Sequence, residues 1–194
     1  YNSSTNLLKF LKGTDVVINC VGILHESNTD RFMDIHSLWI KKLIKMMNEL
    51  SIKRFIHISA MGASENAPSK YLKSKYQGEI NIQQNLKLTH WTIFKPSVVF
   101  GENDKFINLF KKMIKWLPII FVVSPKSKFQ PIAVNDLTLI IINSINDKKT
   151  YQNIYNIGGP TIYSFINILK LISVSINKTR LFIPLSKIIS YMMV

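Results

Sequence analysis

The sequence predicts an α/β fold built around a mainly parallel β-sheet. Short apolar segments rich in β-branched residues alternate with longer segments whose apolar residues recur every three or four positions. The first pattern is typical of buried parallel strands and the second of helices with one buried face. Because the two kinds of segment alternate and are joined by short connections, they indicate βαβ units.

The first half of the chain contains three of the predicted strands. They cover residues 15–22 (DVVINCVG), 54–59 (RFIHIS) and 91–100 (WTIFKPSVVF). The helices predicted between them cover residues 34–50 and 70–84. Pro96 lies inside the third strand, where a proline implies a strand end or an irregularity. Ile35, Leu38 and Trp39 begin the buried face predicted for the first helix.

The second half of the chain predicts three more helices and one short strand. The helices cover residues 104–117, 135–145 and 161–174, the strand covers residues 155–159, and residues 119–132 are predicted to be irregular. Pro118 ends the first of these helices, and Asn135 caps the second. The inward face of the first helix is predicted to contain Phe106, Ile107, Leu109, Phe110, Met113 and Ile114.

Composition indicates a globular domain with a basic surface. The 194 residues are 47% hydrophobic and carry a net charge of +14, and only three of the 25 basic residues are arginine. A bias toward lysine, isoleucine and asparagine is first of all typical of the codon usage of an AT-rich genome. Among possible partners it favours an acidic partner or a lipid surface over nucleic acid, because arginine is the residue that recognises base edges. The one cysteine, Cys20, is expected to be a small buried residue of the first strand. No stretch reaches the roughly 18 uncharged apolar residues that span a bilayer.

Candidate site residues follow the ends of the predicted strands, where ligands of parallel sheets bind. Gly22 ends the first strand and lets the backbone approach a flat ligand closely. Ser59 ends the second strand. Tyr71 and Lys75 lie four residues apart on the next predicted helix and therefore share one face. The four histidines are far apart and have no ligand-like neighbours, so no metal site is proposed.

Together, Ser59, Tyr71 and Lys75 could move a proton. A lysine ammonium beside the phenol favours the phenolate, which lowers the high pKa of an ordinary tyrosine. The serine could donate a hydrogen bond to a substrate oxygen. The alternative is a surface tyrosine and lysine on a solvated helix, because this spacing also arises by chance. The position of Ser59 at the end of a buried strand favours the site.

Five segments of the chain carry a resemblance to a known family. They are HISAMGA, SKYLKSKYQGE, WTIFKPSVVFGENDKFINLF, FQPIAVNDL and YNIGG. The chain resembles the atypical extended short-chain dehydrogenase/reductases of the NAD-dependent epimerase/dehydratase superfamily. It is most similar to the nucleotide-binding accessory subunits of respiratory complex I and their bacterial relatives. The resemblance covers residues 8–169 and implies a doubly wound Rossmann-type sheet that binds NAD(H) or NADP(H), with the choice between them undetermined.

The resemblance also implies roles for individual residues. Ser59, Tyr71 and Lys75 match the catalytic-type trio, and Lys75 also matches the residue that holds the nicotinamide ribose. The residues that match cofactor-binding positions are Cys20, Val21, Gly22, Tyr71, Lys75, Pro96, Ser97 and Val98. Of these, Pro96 to Val98 match the segment beside the nicotinamide.

Domain organisation follows from the same resemblance. Residues 1–102 are expected to form the C-terminal part of an NAD(P)-binding Rossmann domain, integrated with a small substrate-side portion and the remaining Rossmann elements at residues 103–194. The chain does not begin with methionine, and the family's glycine-rich loop is expected before Tyr1. Since that loop holds the cofactor pyrophosphate at a helix N-terminus, we expect this piece alone to bind the dinucleotide poorly.

Two functions are compatible with these observations. The first is an accessory-type subunit of NADH dehydrogenase (complex I) that keeps a structural nucleotide and docks on respiratory subunits or an acidic membrane-adjacent surface. It would be soluble or peripheral, on the cytoplasmic face of a bacterial inner membrane or the matrix side of a mitochondrial one. The second is an active oxidoreductase or epimerase acting on a nucleotide sugar or a small carbonyl or alcohol. The first is favoured, turnover stays an open question, and a Rossmann-like domain without nucleotide is the remaining alternative.

Overall fold

The computed structural model describes residues 4–86 and 89–185, with side chains from residue 7 onward. These residues form the helices α1 (Ser4–Leu11), α2 (Trp39–Glu49), α3 (Lys70–Asn85), α4 (Lys105–Trp116), α5 (Val134–Ser144) and α6 (Phe165–Ser175). The strands are β1 (Val16–Asn19), β2 (Arg54–Ile58), β3 (His90–Pro96), β4 (Val99–Phe100), β5 (Ile119–Val122), β6 (Lys128–Phe129), β7 (Ile132–Ala133), β8 (Asn153–Ile157), β9 (Tyr163–Ser164) and β10 (Leu181–Pro184).

The chain divides into two compact units. The first comprises the described parts of Tyr1–Pro96 and Thr138–Ile157, and the second comprises those of Ser97–Leu137 and Gly158–Val194. Each unit therefore draws on two separate stretches of the sequence.

The first unit is built on a four-stranded sheet in the order β1-β2-β3-β8, with every neighbouring pair parallel. This arrangement confirms the α/β prediction with a mainly parallel sheet. Phe55, Ile56 and Ile93 on the two central strands are fully buried, as the continuous apolar runs require. Ile40 of α2 and Ile82 of α3 join Phe55 and Ile93 in one core.

The helix predicted at residues 34–50 begins with a π-helical turn at Asp34–Leu38, and α2 follows directly. A π-helical turn adds one residue to a helical turn and so shifts the side chains that face the core. His36 and Ser37 are consequently buried, whereas Leu38 is 54% exposed, contrary to the predicted apolar face. Turns of this kind are frequent at functional sites.

The expectation that Cys20 is buried was also wrong. Its side chain is exposed, whereas the sequence predicted a buried residue. The reason is that β1 ends one residue earlier, at Asn19, and lies at the edge of the described sheet. Ile18, on the same strand, is 41% exposed.

The described part of the second unit contains three two-stranded sheets, which pair β5 with β10, β4 with β7, and β6 with β9. Helices α4 and α6 share one core with residues of β5, β6, β9 and β10. Asp104 caps α4 by accepting a hydrogen bond from the backbone N–H of Ile107. Four phenylalanine rings form a cluster in which five pairs have centroid distances of 5.0–6.5 Å; the rings are Phe106, Phe110, Phe129 and Phe165.

Several element predictions in the second half of the chain were wrong in detail. Residues 119–132, predicted to be irregular, contain β5, β6 and the first residue of β7. Leu109 is 55% exposed rather than inward-facing. Helix α5 begins at Val134, so Asn135 lies inside the helix and does not cap it. Helix α6 begins at Phe165 because Ser164 caps it there.

Candidate functional site

The ends of three neighbouring strands lie side by side in the first unit. Asn19, the last residue of β1, is paired with His57, and Ile58, the last residue of β2, is paired with Phe94 of β3. Beyond β2 the chain stays bonded to β3, since the backbone N–H of Met61 donates to the carbonyl of Pro96 at 2.9 Å. The carboxyl ends that the sequence singled out are therefore adjacent.

Lys75 is the charged side chain at these strand ends. Ser69 caps α3 and starts a helix in which Tyr71, Lys75 and Glu79 recur every four residues on one face. Lys75 is 5% exposed, and its Nζ donates to the carbonyl of Ile58 at 3.1 Å. Burial lowers the pKa of Lys75 to about 8, an effect partly offset by Cys20 and Glu79, so the ammonium still predominates at neutral pH.

Gly22 lies directly against this ammonium. A Cβ built on Gly22 would lie 3.0 Å from Lys75 Nζ and 3.4 Å from His36 Nε2. Any larger residue would therefore crowd the polar atoms that gather after β1. The sequence predicted Gly22 for the site because it ends a strand, and Lys75 because it shares a helix face with Tyr71. The structure places Gly22 and Lys75 next to each other.

His36 joins the segment after β1 to helix α3. Its Nε2 accepts a hydrogen bond from the backbone N–H of Ile23 at 3.0 Å, so its proton is on Nδ1, which donates to Ser74 Oγ at 2.9 Å. Ser74 in turn donates to the carbonyl of Tyr71 at 2.7 Å. Burial, with a smaller contribution from Lys75, lowers the pKa of His36 to about 4.

The ring of Tyr71 belongs to a small aromatic cluster. It contacts His36 and Phe32 edge-on, with centroid distances of 5.5 and 5.7 Å. Through His36 it lies beside the segment that follows β1. Burial raises the pKa of Tyr71, so the phenol is protonated at neutral pH in this arrangement.

Ser59 is turned toward the interior. It is 4% exposed, and its hydroxyl donates to Glu79 Oε1. The other carboxylate oxygen, Glu79 Oε2, pairs with Lys95 Nζ at 3.0 Å, and Lys95 also donates to the carbonyl of Ala63 at 2.7 Å. Burial raises the pKa of Glu79, whereas hydrogen bonds from Ser59 and Lys95 oppose that rise. The one hydrogen bond that the Ser59 hydroxyl can donate is therefore made to Glu79. A catalytic role for Ser59 stays a prediction.

The remaining candidates fall in two groups. Cys20 and Val21 follow β1 in the first unit, where Cys20 is exposed and Val21 half-buried, and Pro96 is buried at the end of β3. Ser97 and Val98 belong to the second unit. There Ser97 Oγ accepts from the backbone N–H of Gln130 at 3.3 Å, and the Val98 carbonyl accepts from Ile132 at 3.0 Å. Their roles beside a cofactor stay predictions.

Sequence reasoning missed His36 and Glu79. Glu79 carried a usable signal, since it continues the four-residue spacing of Tyr71 and Lys75 along α3. His36 carried none, because its burial depends on the π-helical turn, which no spacing of apolar residues indicated.

Acid is expected to destabilise the chain through His36. The imidazole has a pKa of about 4 in the folded chain and an ordinary value of 6.5 when unfolded, so the unfolded chain binds the extra proton between those values. Stability should be complete above pH 6.5 and fall as the pH drops toward 4. Urea unfolding midpoints measured across this window should show a shallower loss for His36→Gln than for the wild type.

The matched control is His25→Gln, because His25 is exposed. It should keep the wild-type dependence on pH. His57 is also buried, and its pKa lies well below 6.5 through burial, so His36→Gln should reduce the acid sensitivity without removing it. Equal losses in His36→Gln and wild type would contradict this assignment.

Comparison with known proteins identifies a matching family and several relatives. The model of a family described as NAD(P)H-binding matches residues 1–108. The mitochondrial NADH dehydrogenase [ubiquinone] 1 alpha subcomplex subunit 9 of Mus musculus is 29% identical over 181 residues, which cover 92% of this chain and 47% of that protein. The subunit of the same name from Arabidopsis thaliana is 30% identical and covers 77% of this chain and 38% of its own length. The chain thus spans less than half the length of these relatives.

Solved structures share the fold at lower identity. MoeE5 in complex with UDP-glucose and NAD has a TM-score of 0.80 and 13% identity, with 94% of this chain and 69% of that chain covered. UDP-glucuronic acid 4-epimerase from Bacillus cereus, in complex with NAD, has a TM-score of 0.76 and 21% identity, with coverage of 94% and 67%. These similarities confirm the Rossmann-type fold class.

Proposed function

Because the chain belongs to the NAD(P)H-binding family, whose model matches residues 1–108, we propose that it is the nucleotide-holding part of a respiratory NADH dehydrogenase subunit. In this role the NAD or NADP nucleotide stabilises the subunit and is not turned over. The mitochondrial subunits from Mus musculus and Arabidopsis thaliana support the assignment by their names and by their similarity over most of this chain.

The observation that carries the proposal is the placement of Lys75. An ammonium has three N–H donors, and within the described residues Lys75 uses one of them, on the carbonyl of Ile58. The two remaining donors sit at buried strand ends where Gly22 keeps the backbone close. That donor set fits ribose hydroxyls, so Lys75 would hold the nicotinamide ribose and Cys20 to Gly22 would lie along the nucleotide.

Two features favour a nucleotide that is held without turnover. A bound nicotinamide supplies hydride transfer, which needs a protein group to give or take a proton. Burial raises the pKa of Tyr71 and so disfavours the phenolate that would act as the base when an alcohol is oxidised. The Ser59 hydroxyl donates its hydrogen bond to Glu79.

The relatives also suggest the setting. Those named above are mitochondrial subunits, so we propose that this chain docks on other subunits of a respiratory NADH dehydrogenase. Its place would be the matrix side of the mitochondrial inner membrane, or the cytoplasmic face in a bacterium. No helix among residues 4–86 and 89–185 is long and apolar enough to cross a membrane.

The second candidate is an active oxidoreductase or epimerase. The observation that favours it is that Tyr71 and Lys75 share one face of α3 beside the strand ends. Binding of a cationic nicotinamide would favour the phenolate by charge attraction and could offset the effect of burial. Turnover of NADPH or NADH that Tyr71→Phe abolishes would establish this candidate over the first.

Measured in the whole subunit of which this chain is proposed to be a part, Lys75→Met is expected to weaken NADPH or NADH binding by roughly 10- to 100-fold, because one or two charge-assisted hydrogen bonds are lost. Methionine keeps most of the side-chain length without the charge, so the strand ends should stay packed. Titration calorimetry or nucleotide fluorescence measures the affinity, and absorbance at 340 nm shows whether the reduced nucleotide is consumed.

The control for this variant is Lys73→Met on the same helix, because Lys73 is exposed. It should bind the nucleotide as the wild type does. The proposed function predicts that wild type retains NADPH without consuming it and that the tagged chain co-purifies with respiratory subunits. Equal affinities for Lys75→Met and Lys73→Met would contradict the role given to Lys75.

A further inference from the structure

A buried ion pair in the first unit joins helix α3 to the end of strand β3. Side chains alternate along a strand, so Lys95 lies on the same face of β3 as Trp91 and Ile93, which pack in one core with residues of α2 and α3. Glu79 of α3 reaches this face, where it is 1% exposed and its Oε2 lies 3.0 Å from Lys95 Nζ. The pair therefore lies between the helix and the sheet.

The same two side chains hold the five residues that follow β2, which we call the post-β2 segment (residues 59–63). Glu79 Oε1 accepts a hydrogen bond from the Ser59 hydroxyl at the start of the segment. Lys95 Nζ donates to the carbonyl of Ala63 at its end, at 2.7 Å. One ion pair thus fixes both ends of the segment.

The post-β2 segment follows directly on the acceptor that orients Lys75. That acceptor is the carbonyl of Ile58, to which Lys75 Nζ donates at 3.1 Å. Because the three N–H donors of an ammonium are held at fixed angles, the direction of this bond constrains where the two remaining donors point. A shift of the segment would move the Ile58 carbonyl and change the direction of those donors.

The charges also favour a role for Glu79 beyond packing. Lys75 and Lys95 bring two ammonium groups into the interior, where a charge costs free energy unless it is compensated. Among the side chains that the structure describes, Glu79 is the one carboxylate at ion-pair distance from a basic group. Burial lowers the pKa of Lys75 to about 8, and Cys20 and Glu79 partly oppose that effect.

We propose that Glu79 and Lys95 are positioning residues for the nucleotide site. Their ion pair fixes the post-β2 segment and, through the Ile58 carbonyl, directs the remaining donors of Lys75 toward the ribose. Neither side chain would touch the nucleotide, because both bind the segment and each other. The inference rests on the proposed function, which gives Lys75 its ligand, whereas the fixing of the segment needs no ligand.

The test uses the whole subunit of which this chain is proposed to be a part, with the variants Glu79→Gln and Lys95→Met. Glutamine keeps the size of the side chain without its charge, and methionine removes the donor to Ala63. Each variant should bind NADPH roughly tenfold more weakly, because the site is no longer held ready for the ligand. The Met61 amide, which donates within the segment to Pro96, should exchange with solvent at least tenfold faster.

The protonation of Lys75 gives a second readout, which a merely structural role of Glu79 would leave unchanged. The titratable and charged groups around Lys75 and Glu79 are Cys20 after β1, His36 in the π-helical turn, His57 on β2, Lys95 on β3 and Tyr71 on α3. Burial lowers the pKa of both histidines below 6.5 and raises the pKa of Cys20 and Tyr71. These four groups therefore stay neutral while Lys75 titrates near pH 8.

Glu79→Gln should lower the pH at which Lys75 loses its proton, because the variant lacks a negative charge that favours the ammonium. Nuclear magnetic resonance of isotope-labelled lysine Nζ measures this titration without nucleotide, and the signal absent from Lys75→Met identifies Lys75. The affinity of Glu79→Gln for NADPH should also fall more steeply than that of the wild type as the pH rises toward 8.

Two controls match the charge and the destabilisation. Glu49→Gln removes an exposed carboxylate from α2, and Leu43→Ala truncates a buried side chain of the core without touching the segment. At a temperature where they are folded, both should keep the wild-type affinity and the wild-type titration of Lys75. Equal affinities for Glu79→Gln and Leu43→Ala, or an unchanged titration in Glu79→Gln, would overturn the proposal.

Failure of the proposed function gives a different result. A wild-type subunit that binds no NADPH would overturn the nucleotide role of Lys75. Faster exchange of the Met61 amide and the lower titration of Lys75 in the same preparation would still support the fixing of the segment by the ion pair. Tight NADPH binding by the wild type, with no change in either variant, would overturn the positioning role alone.

Discussion

Replacing Arg54 with methionine is expected to lower the free energy of unfolding by about 3–5 kcal/mol, because several buried acceptors lose a donor and each one left unsatisfied costs about 1–3 kcal/mol. For a chain of this length the melting temperature should fall by roughly 10 °C. Arg54 is the first residue of β2 and is 4% exposed. Thermal unfolding followed by circular dichroism measures the effect.

The size of the effect follows from the partners of the guanidinium. Its five N–H donors reach the acceptors Phe55 O, His90 O, Thr92 Oγ1, Ser144 O, Ile145 O and Thr150 Oγ1 at 2.8–3.2 Å. The Tyr151 ring lies 4.7 Å from the guanidinium carbon. No carboxylate among the described residues pairs with Arg54, so carbonyl and hydroxyl dipoles and the Tyr151 ring stabilise its charge. Methionine removes all of these donors. The Ser144 carbonyl still accepts from Thr150 Oγ1, but each buried acceptor left without a donor costs free energy.

Two variants separate this network from a general effect of losing an arginine. Arg31 is exposed, and Arg31→Met should change stability by less than about 0.5 kcal/mol. Arg54→Lys keeps the charge but has three donors instead of five, so it should recover only part of the loss. An Arg54→Met variant as stable as Arg31→Met would contradict the role given to Arg54.

The elements that the sequence predicted correctly are those whose side chains alone decide their position. The apolar run around Phe55 and Ile56 can only be buried, which makes β2 a central strand. The four-residue spacing of Tyr71 and Lys75 predicts a shared helix face, and α3 has it. Pro96 predicts a strand end or an irregularity because it lacks an N–H, and β3 ends there, whereas the strand was predicted to continue to Phe100.

The features that the sequence did not predict depend on contacts between distant segments. His36 is buried only because a π-helical turn shifts the helix register, and its partners Ile23 and Ser74 come from two other elements. Ser59 turns inward because Glu79, twenty residues away in the sequence, accepts the hydrogen bond from its hydroxyl. The spacing of apolar residues in the sequence indicates neither the burial of His36 nor the inward orientation of Ser59.

Replacing Gly78 with alanine is expected to lower the free energy of unfolding by about 2–3 kcal/mol, as overpacking does. A Cβ at this position of α3 would lie 2.2 Å from the backbone carbonyl oxygen of His36, so the two elements must separate. A decrease in the free energy of unfolding would indicate overpacking, because alanine in a helix interior ordinarily stabilises by up to about 1 kcal/mol relative to glycine. Urea unfolding measures the change, and a variant as stable as the wild type would contradict the close packing.

The consequence of Gly78→Ala should reach the candidate site. Moving the carbonyl of His36 shifts its imidazole, which accepts from Ile23 just after Gly22. The Ile23 amide should therefore exchange with solvent at least tenfold faster, an order of magnitude that corresponds to about 1.4 kcal/mol, whereas Lys73→Ala on the same helix should leave it unchanged.

A comparison of the two destabilised variants distinguishes local from general damage. Arg54 lies at the amino end of β2, whereas Ile58 at its carboxyl end accepts from Lys75. Measured in the whole subunit of which this chain is proposed to be a part, at a temperature where both variants are folded, Arg54→Met should keep the wild-type affinity for NADPH and Gly78→Ala should lose most of it. Equal affinities in the two variants would mean that the packing of α3 against His36 does not position the nucleotide site.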